Sequence, residues 1–150
     1  MAKCRIPKPS DPGAAARAEV VELLFEYVDV LRMHFEAVAE RHGLTSVQAK
    51  VLMFLDEATP MNRIAEGLCC DPSNITGVVD RLEERGLLAR EESPTDRRIK
   101  FLRVTPAGRK LRDACALSLF TDVPGMKGLS PAQVADLHRV LARLCGHGKS

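Results

Sequence analysis

The chain has 150 residues, 45% of them hydrophobic, a formal net charge of +2 and five cysteines, which fits one globular domain with enough length for a real core. Aromatic residues make up 4% and tryptophan is absent, so that core has to be built mainly from Leu, Val, Ala and Ile. The longest apolar runs are too short to span a bilayer, the near-balanced charge excludes a protein coated in basic side chains, and the scattered cysteines define no disulfide framework.

Residues 1–11 read as a flexible N-terminus. The opening MAKCRIPKPSDPG carries positive charge but no apolar leader segment, which predicts a cytoplasmic protein with reduced thiols. From there the chain punctuates its own helices. Asp11-Pro12, Thr59-Pro60, Asp71-Pro72, Thr105-Pro106 and Ser130-Pro131 each fit an N-cap followed by proline at the first helical position. Thr45 with Gln48, and Ser130 with Gln133, fit the capping box, while Gly43 and Gly86 stand where a left-handed C-terminal residue is expected. These signals predict helices over roughly 12–42, 46–57, 60–68, 72–85, 106–120 and 131–145.

The first helix carries a stripe of Val20, Leu24, Val28, Leu31, Phe35 and Val38, widened by Val21, Phe25 and Tyr27, and the last carries Val134, Leu137, Val140, Leu141 and Leu144. Apolar faces this wide need a partner, and a homodimer built from the terminal helices is the economical answer. The fourth helix is amphipathic: Ile75, Val78, Val79 and Leu82 recur at i, i+3, i+4 and i+7. Its opposite face carries Ser73, Asn74, Thr76, Gly77, Asp80 and Arg81. A face of short polar side chains and arginine suits a DNA major groove. There Asn pairs bidentately with adenine, Arg reaches guanine or phosphate, and Ser or Thr reach either. Gly77 lets the backbone come close, whereas Asp80 would repel phosphate and is expected to orient Arg81 or a neighbour. After this helix, Leu87–Arg90 and Ile99–Val104 read as two strands joined by a loop over 91–98, with Arg97, Arg98 and Lys100 around a Ser93-Pro94 turn. Glu91 and Glu92 are expected to face away from a duplex. The pattern is mainly α with a small β-wing: a winged helix-turn-helix that binds double-stranded DNA.

The segment VVDRLEERGLL at 78–88, the wing run Asp96-Arg97-Arg98 and the exit LRVTPAGRKL at 102–111 come in a specific order, and with them the chain resembles the MarR family of transcriptional regulators, most strongly over 44–109. The Cys69-Cys70 pair and Gly77 on the reading face depart from the usual family pattern. The resemblance implies a winged helix-turn-helix lobe at 44–105 and a helical dimerisation region at 12–42 and 106–146. It makes Arg98 the reader of the minor groove, Asp96 its support and Arg97 a phosphate contact; a one-residue shift of the loop exchanges the two arginines. It further implies a repressor on a pseudo-palindromic operator, released by a small ligand or oxidative stress. The ligand pocket would lie between the dimer helices and the DNA-binding lobe, and Phe25, Met33, Phe54 and Leu111 are the candidate lining.

Other chemistries find less support. A thiol switch needs an accessible, cation-stabilised thiolate. Cys70 near a helix N-terminus is the best placed for that, while Cys115 reads as a small core residue and Cys4, Cys69 and Cys145 stay open. His34, His42, His138 and His147 lack metal-ligand spacing, although His34 and His138 could meet across an interface. No phosphate loop, nucleophile elbow or zinc-protease helix is present, so the sequence predicts neither an enzyme nor a cofactor or metal. The competing class is a winged-helix protein-interaction module that does not read DNA, which the balanced charge permits.

Overall fold

In a computed structural model the structure describes residues 11–55, 58–68, 72–92 and 100–147, and of residues 62, 65, 72–74 and 92 the backbone course only. The elements run α1 (Pro12–Arg41), α2 (Ser46–Phe54), β1 (Thr59–Pro60), α3 (Met61–Gly67), α4 (Pro72–Glu84), β2 (Leu88–Glu92), β3 (Lys100–Val104), α5 (Pro106–Thr121), a short 3-10 turn (Met126–Gly128) and α6 (Pro131–Leu144). The fold is mainly α with a small antiparallel sheet, as the sequence predicts.

Most caps fall where the sequence puts them. The Asp11 carboxylate accepts from the Ala14 amide, Thr45 and Ser130 form complete capping boxes with Gln48 and Gln133, and the Thr105 hydroxyl accepts from the Gly108 amide. Gly43 and Gly86 both adopt φ of 67°, and their lack of a Cβ lets the chain turn out of α1 and α4. Asp71 and the N-terminal residues 1–10 lie outside the described residues.

Two expectations need correction. Thr59 and Pro60 do not open a helix; they form β1, with Thr59 opposite Leu102 and Pro60 opposite Phe101, and α3 begins at Met61 without a side-chain cap. The sheet order is β1-β3-β2, which leaves Pro60 on an edge strand, where a missing N–H is tolerated. The hairpin is also longer than predicted. β2 continues to Glu92, with Glu91 opposite Phe101 and Glu92 opposite Lys100, and the Glu91 carboxylate accepts from Arg103 Nε at 2.9 Å. That cross-strand pair keeps in the ladder two residues whose charge resembles a loop.

The core lies between α2, α3, α4, the sheet and the neighbouring parts of α1 and α5. Val38 and Ala39, Val51 and Leu52, Leu55, Ile64, Ile75, Val79, Leu82, Leu102 and Cys115 are all at most 1% exposed. The terminal helices hardly share in it. α1 buries only Val38 and Ala39, α6 buries none of its residues, and Val20, Leu23, Phe25, Val28, Leu117, Phe120, Val140 and Leu144 are exposed. No helix among the described residues is long and apolar enough to cross a membrane.

Two glycines test this packing in opposite directions. A Cβ on Gly108 would stand 2.1 Å from the Leu87 carbonyl oxygen and 2.8 Å from Val104 Cγ1, whereas one on Gly77 would meet nothing within 4 Å. Gly108→Ala is expected to destabilise the fold by about 3 kcal/mol or more through overpacking against backbone. Gly77→Ala is expected to raise stability by up to about 1 kcal/mol, the difference in helix propensity. Urea midpoints read both; a Gly108→Ala midpoint equal to the parent's would mean that α5 does not seat against the Leu87 turn as described.

Candidate nucleic-acid interface

α4 is held by one side. Ile75, Val79 and Leu82 are buried and Val78 is half-buried against the core, as the spacing predicts. With about 100° of rotation per residue, that burial turns Thr76, Gly77 and Arg81 outward, and all three are exposed. Ser73 and Asn74 belong to the first turn of α4 by backbone position. Lys100 opens β3 and is exposed. Asp96, Arg97 and Arg98 lie outside the described residues, as do Cys4, Cys69 and Cys70. The structure thus brings Thr76, Gly77 and Arg81 onto one exposed side of a helix whose opposite side packs under the sheet.

The partner of Asp80 is not Arg81. Arg90 on β2 donates through Nη2 to Asp80 and through Nη1 to Glu83, and its backbone N–H donates to the other Glu83 oxygen at 3.3 Å. The hydrogen bond with Asp80 and the neighbouring carboxylates hold the Arg90 guanidinium above its ordinary pKa, against a smaller opposing effect of burial. Sequence reasoning missed this residue because nothing in its spacing connects a strand arginine to a helix ten positions earlier.

A cavity of about 680 Å³ lies beside α1 and α5, lined by Val28, Leu31, His34, Phe35, Leu119, Phe120 and Met126 among others. The lining is mostly apolar. At its rim Lys50 Nζ stands 5.9 Å from the centre of the Phe35 ring, and Glu36 accepts from Arg32 at 3.0 Å. The four candidates named from sequence lie elsewhere. Phe25 and Met33 are exposed on α1, the Phe54 ring covers Gly67, and Leu111 packs on the core. Two of the four histidines are tied within the chain: His34 Nε2 meets the Leu119 carbonyl oxygen and His42 Nε2 meets Ser118 Oγ, each at 3.0 Å. No group of three His, Cys, Asp or Glu side chains that could hold a metal occurs among the described residues. In the turn before α6, a hydrogen bond from the Lys127 ammonium at 2.6 Å and its charge hold the Asp122 carboxyl below the usual range.

The MarR family model matches residues 44–100. The chain is 36% identical to the HTH-type transcriptional regulator MhqR of Bacillus subtilis (strain 168) over 77 residues, which are 50% of this chain and 53% of that protein. The chain therefore spans about half the length of this curated relative. Among solved structures it is similar to CouR from Rhodococcus jostii RHA1 bound to p-coumaroyl-CoA, with a TM-score of 0.66 and 28% identity over 83% of this chain and 90% of that one. A mutant MarR from E. coli complexed with operator DNA gives a TM-score of 0.66 at 21% identity, covering 84% of this chain and 93% of that one, a likeness of fold. Over 44–100 the chain is thus similar to the MarR family, and the relatives and neighbours that carry a role in their names are transcriptional regulators.

The described thiols differ sharply. Cys115 is buried among core side chains, and that desolvation pushes its thiol pKa up, whereas Cys145 is exposed at the end of α6. Thiolate is the reactive form. With iodoacetamide on the native protein near neutral pH, Cys145 is expected to be alkylated while Cys115 is protected until denaturant is added. Peptide mass spectrometry distinguishes them, and alkylation of native Cys115 at the Cys145 rate would contradict its place in the core.

Proposed function

We propose that this protein is a MarR-family regulator: a dimeric, sequence-specific DNA-binding repressor released by a small effector. The observation that carries this reading is the exposed side of α4. Thr76, Gly77 and Arg81 stand out from a helix whose apolar side is fixed under a two-stranded wing. Short polar groups, an open glycine and an arginine are what a major groove accommodates. In this reading Ser73, Asn74, Thr76, Gly77 and Arg81 face base edges or flanking phosphate. Asp96, Arg97, Arg98 and Lys100 form the wing contact, with Arg98 in the minor groove. The operator-bound MarR structure supports the assignment by its shared fold.

The reading lobe is then 44–105, and the dimerisation region is 12–42 with 106–146. The uncovered apolar side chains of α1, α5 and α6 support a second copy of the chain as their partner. Two-fold symmetry requires an inverted-repeat operator. The cavity beside α1 and α5 supports an apolar effector, and CouR is a relative captured with an acyl-CoA. Such a ligand releases DNA only by binding one spacing of the two reading helices better than the other. A regulator of this kind works in the cytoplasm.

Selection of bound duplexes from a random pool tests the reading, with sedimentation of the free protein beside it. The expected result is a dimer at micromolar concentration and an inverted repeat with half-sites about 10 bp apart, centre to centre. A stable monomer on asymmetric sites would reject the dimeric arrangement, and failure to retain DNA even at low salt would favour a protein-interaction module. On the selected site Asn74→Ala is expected to cost about 1–3 kcal/mol and leave the salt dependence unchanged. Arg98→Ala should weaken binding to most sequences and flatten the salt slope by about one unit. If Arg97→Ala shows that flattening instead, the two wing arginines exchange roles.

A further inference from the structure

The proposed DNA surface contains an apparent flaw. Asp80 follows Gly77 by three residues and Thr76 by four, so it lies one helical turn further along the same side of α4. Glu83 follows one turn after Asp80. A carboxylate about 6 Å from groups that face DNA is well inside the roughly 10 Å over which salt screens charge, and like charges brought together at an interface oppose association.

Arg90 answers that flaw. Its guanidinium donates to Asp80 and to Glu83 at once, and its backbone N–H holds the second Glu83 oxygen at 3.3 Å. The arginine is the most covered of the three, 27% exposed against 46% for Asp80 and 36% for Glu83. A planar fork with five donors can serve two carboxylates in fixed directions, which a lysine cannot. The contact crosses from the helix to the first strand of the wing, so it also fixes the angle between the two elements proposed to enter adjacent grooves.

We infer that Arg90 is a positioning residue for the DNA surface: it draws the Asp80 and Glu83 carboxylates against β2 and keeps two anions on α4 from facing phosphate. The inference rests on the reading of α4 as the DNA-contacting helix. It also separates two groups of arginines. Arg81 and the wing arginines work by meeting DNA, whereas Arg90 works by meeting acids.

The test uses the full chain and two duplexes, the one selected from the random pool and a scrambled one, with anisotropy titrations at low and moderate salt. Arg90→Met uncovers both carboxylates and removes a cation. It should weaken both duplexes by roughly tenfold at low salt, with the gap narrowing as salt rises. Asp80→Asn with Glu83→Gln leaves Arg90 in place without its anions, and should tighten the scrambled duplex several-fold. The combined triple variant should bind at least as well as the parent. A purely structural bridge predicts the opposite for the double variant, no change or a loss, and no recovery in the triple; either result overturns the inference. Thermal melting without DNA shows whether Arg90→Met folds, and if it does not, the double variant alone decides by the sign of its effect. A parent that binds neither duplex at low salt rejects the DNA reading itself, whereas a parent that binds while the double variant does not gain rejects only the role of Arg90.

Discussion

The burial of one side of α4 is the constraint from which the site follows. Ile75, Val79 and Leu82 are inside with almost no exposure, and each such side chain contributes roughly 1.5–3 kcal/mol over its exposed state. Rotating the helix by one residue would bring polar groups into the core and turn these three side chains toward less buried positions. Rotation about the axis is therefore fixed by several kcal/mol, and the identity of the outward side chains is fixed with it. The same core takes Leu102 and Val104 from β3, so the wing is anchored to the helix it accompanies by shared packing as well as by Arg90.

The remainder of the chain is built on a different principle. α1 is thirty residues long yet buries two, and α6 buries none. Their capping is nonetheless complete, with Asp11 at one start and a full Ser130–Gln133 box at the other. Local signals thus specify these helices, while their tertiary packing is left unsatisfied within one copy. Helices of this kind draw most of their stability from tertiary contacts, and exposed apolar surface on this scale is the mark of an interface. Folding of the arms and pairing of two copies are then expected to be linked, whereas the central lobe carries a core of its own.

The parts of this fold legible in the sequence are those set by local chemistry. Threonine or serine before proline, a Gln three positions after a cap and a glycine after the last turn each act over a few residues, and they mark α1, α2, α5 and α6 closely. The spacing of Ile75, Val79 and Leu82 gave the inward side of α4 for the same reason. What escaped depends on partners distant in the chain. Thr59-Pro60 has the form of a helix start, and only pairing with Phe101 and Leu102 makes it a strand. Glu91 is held in a strand by Arg103, and Asp80 is claimed by Arg90 rather than by its neighbour. The cavity is the same case: Leu31 and Phe35 meet Leu119 and Phe120 across more than eighty residues of chain, and no periodicity on either helix indicates which residues converge.

α5 joins the two principles. Its first turns are stitched to the winged lobe. The Thr105 hydroxyl donates to the Gly86 carbonyl oxygen at 2.7 Å, Arg109 to that of Val104 at 2.8 Å, and Arg112 to that of Leu55 at 2.9 Å. Gly108 seats the helix directly on the Leu87 backbone. Its last turns are stitched to α1 instead, through His42 with Ser118 and His34 with the Leu119 carbonyl oxygen. One rigid rod therefore touches the base of the wing at one end and the wall of the cavity at the other. In the proposed regulation, an effector against Leu119 and Phe120 would meet the rod at the α1 end, and a tilt it favoured would be carried toward Leu87 and Val104 at the other. Close packing against a backbone carbonyl leaves little slack to absorb such a tilt. The proposed regulation thus requires no separate relay: the helix that completes the lobe also lines the pocket, and the two sites are coupled to the extent that α5 moves as one piece.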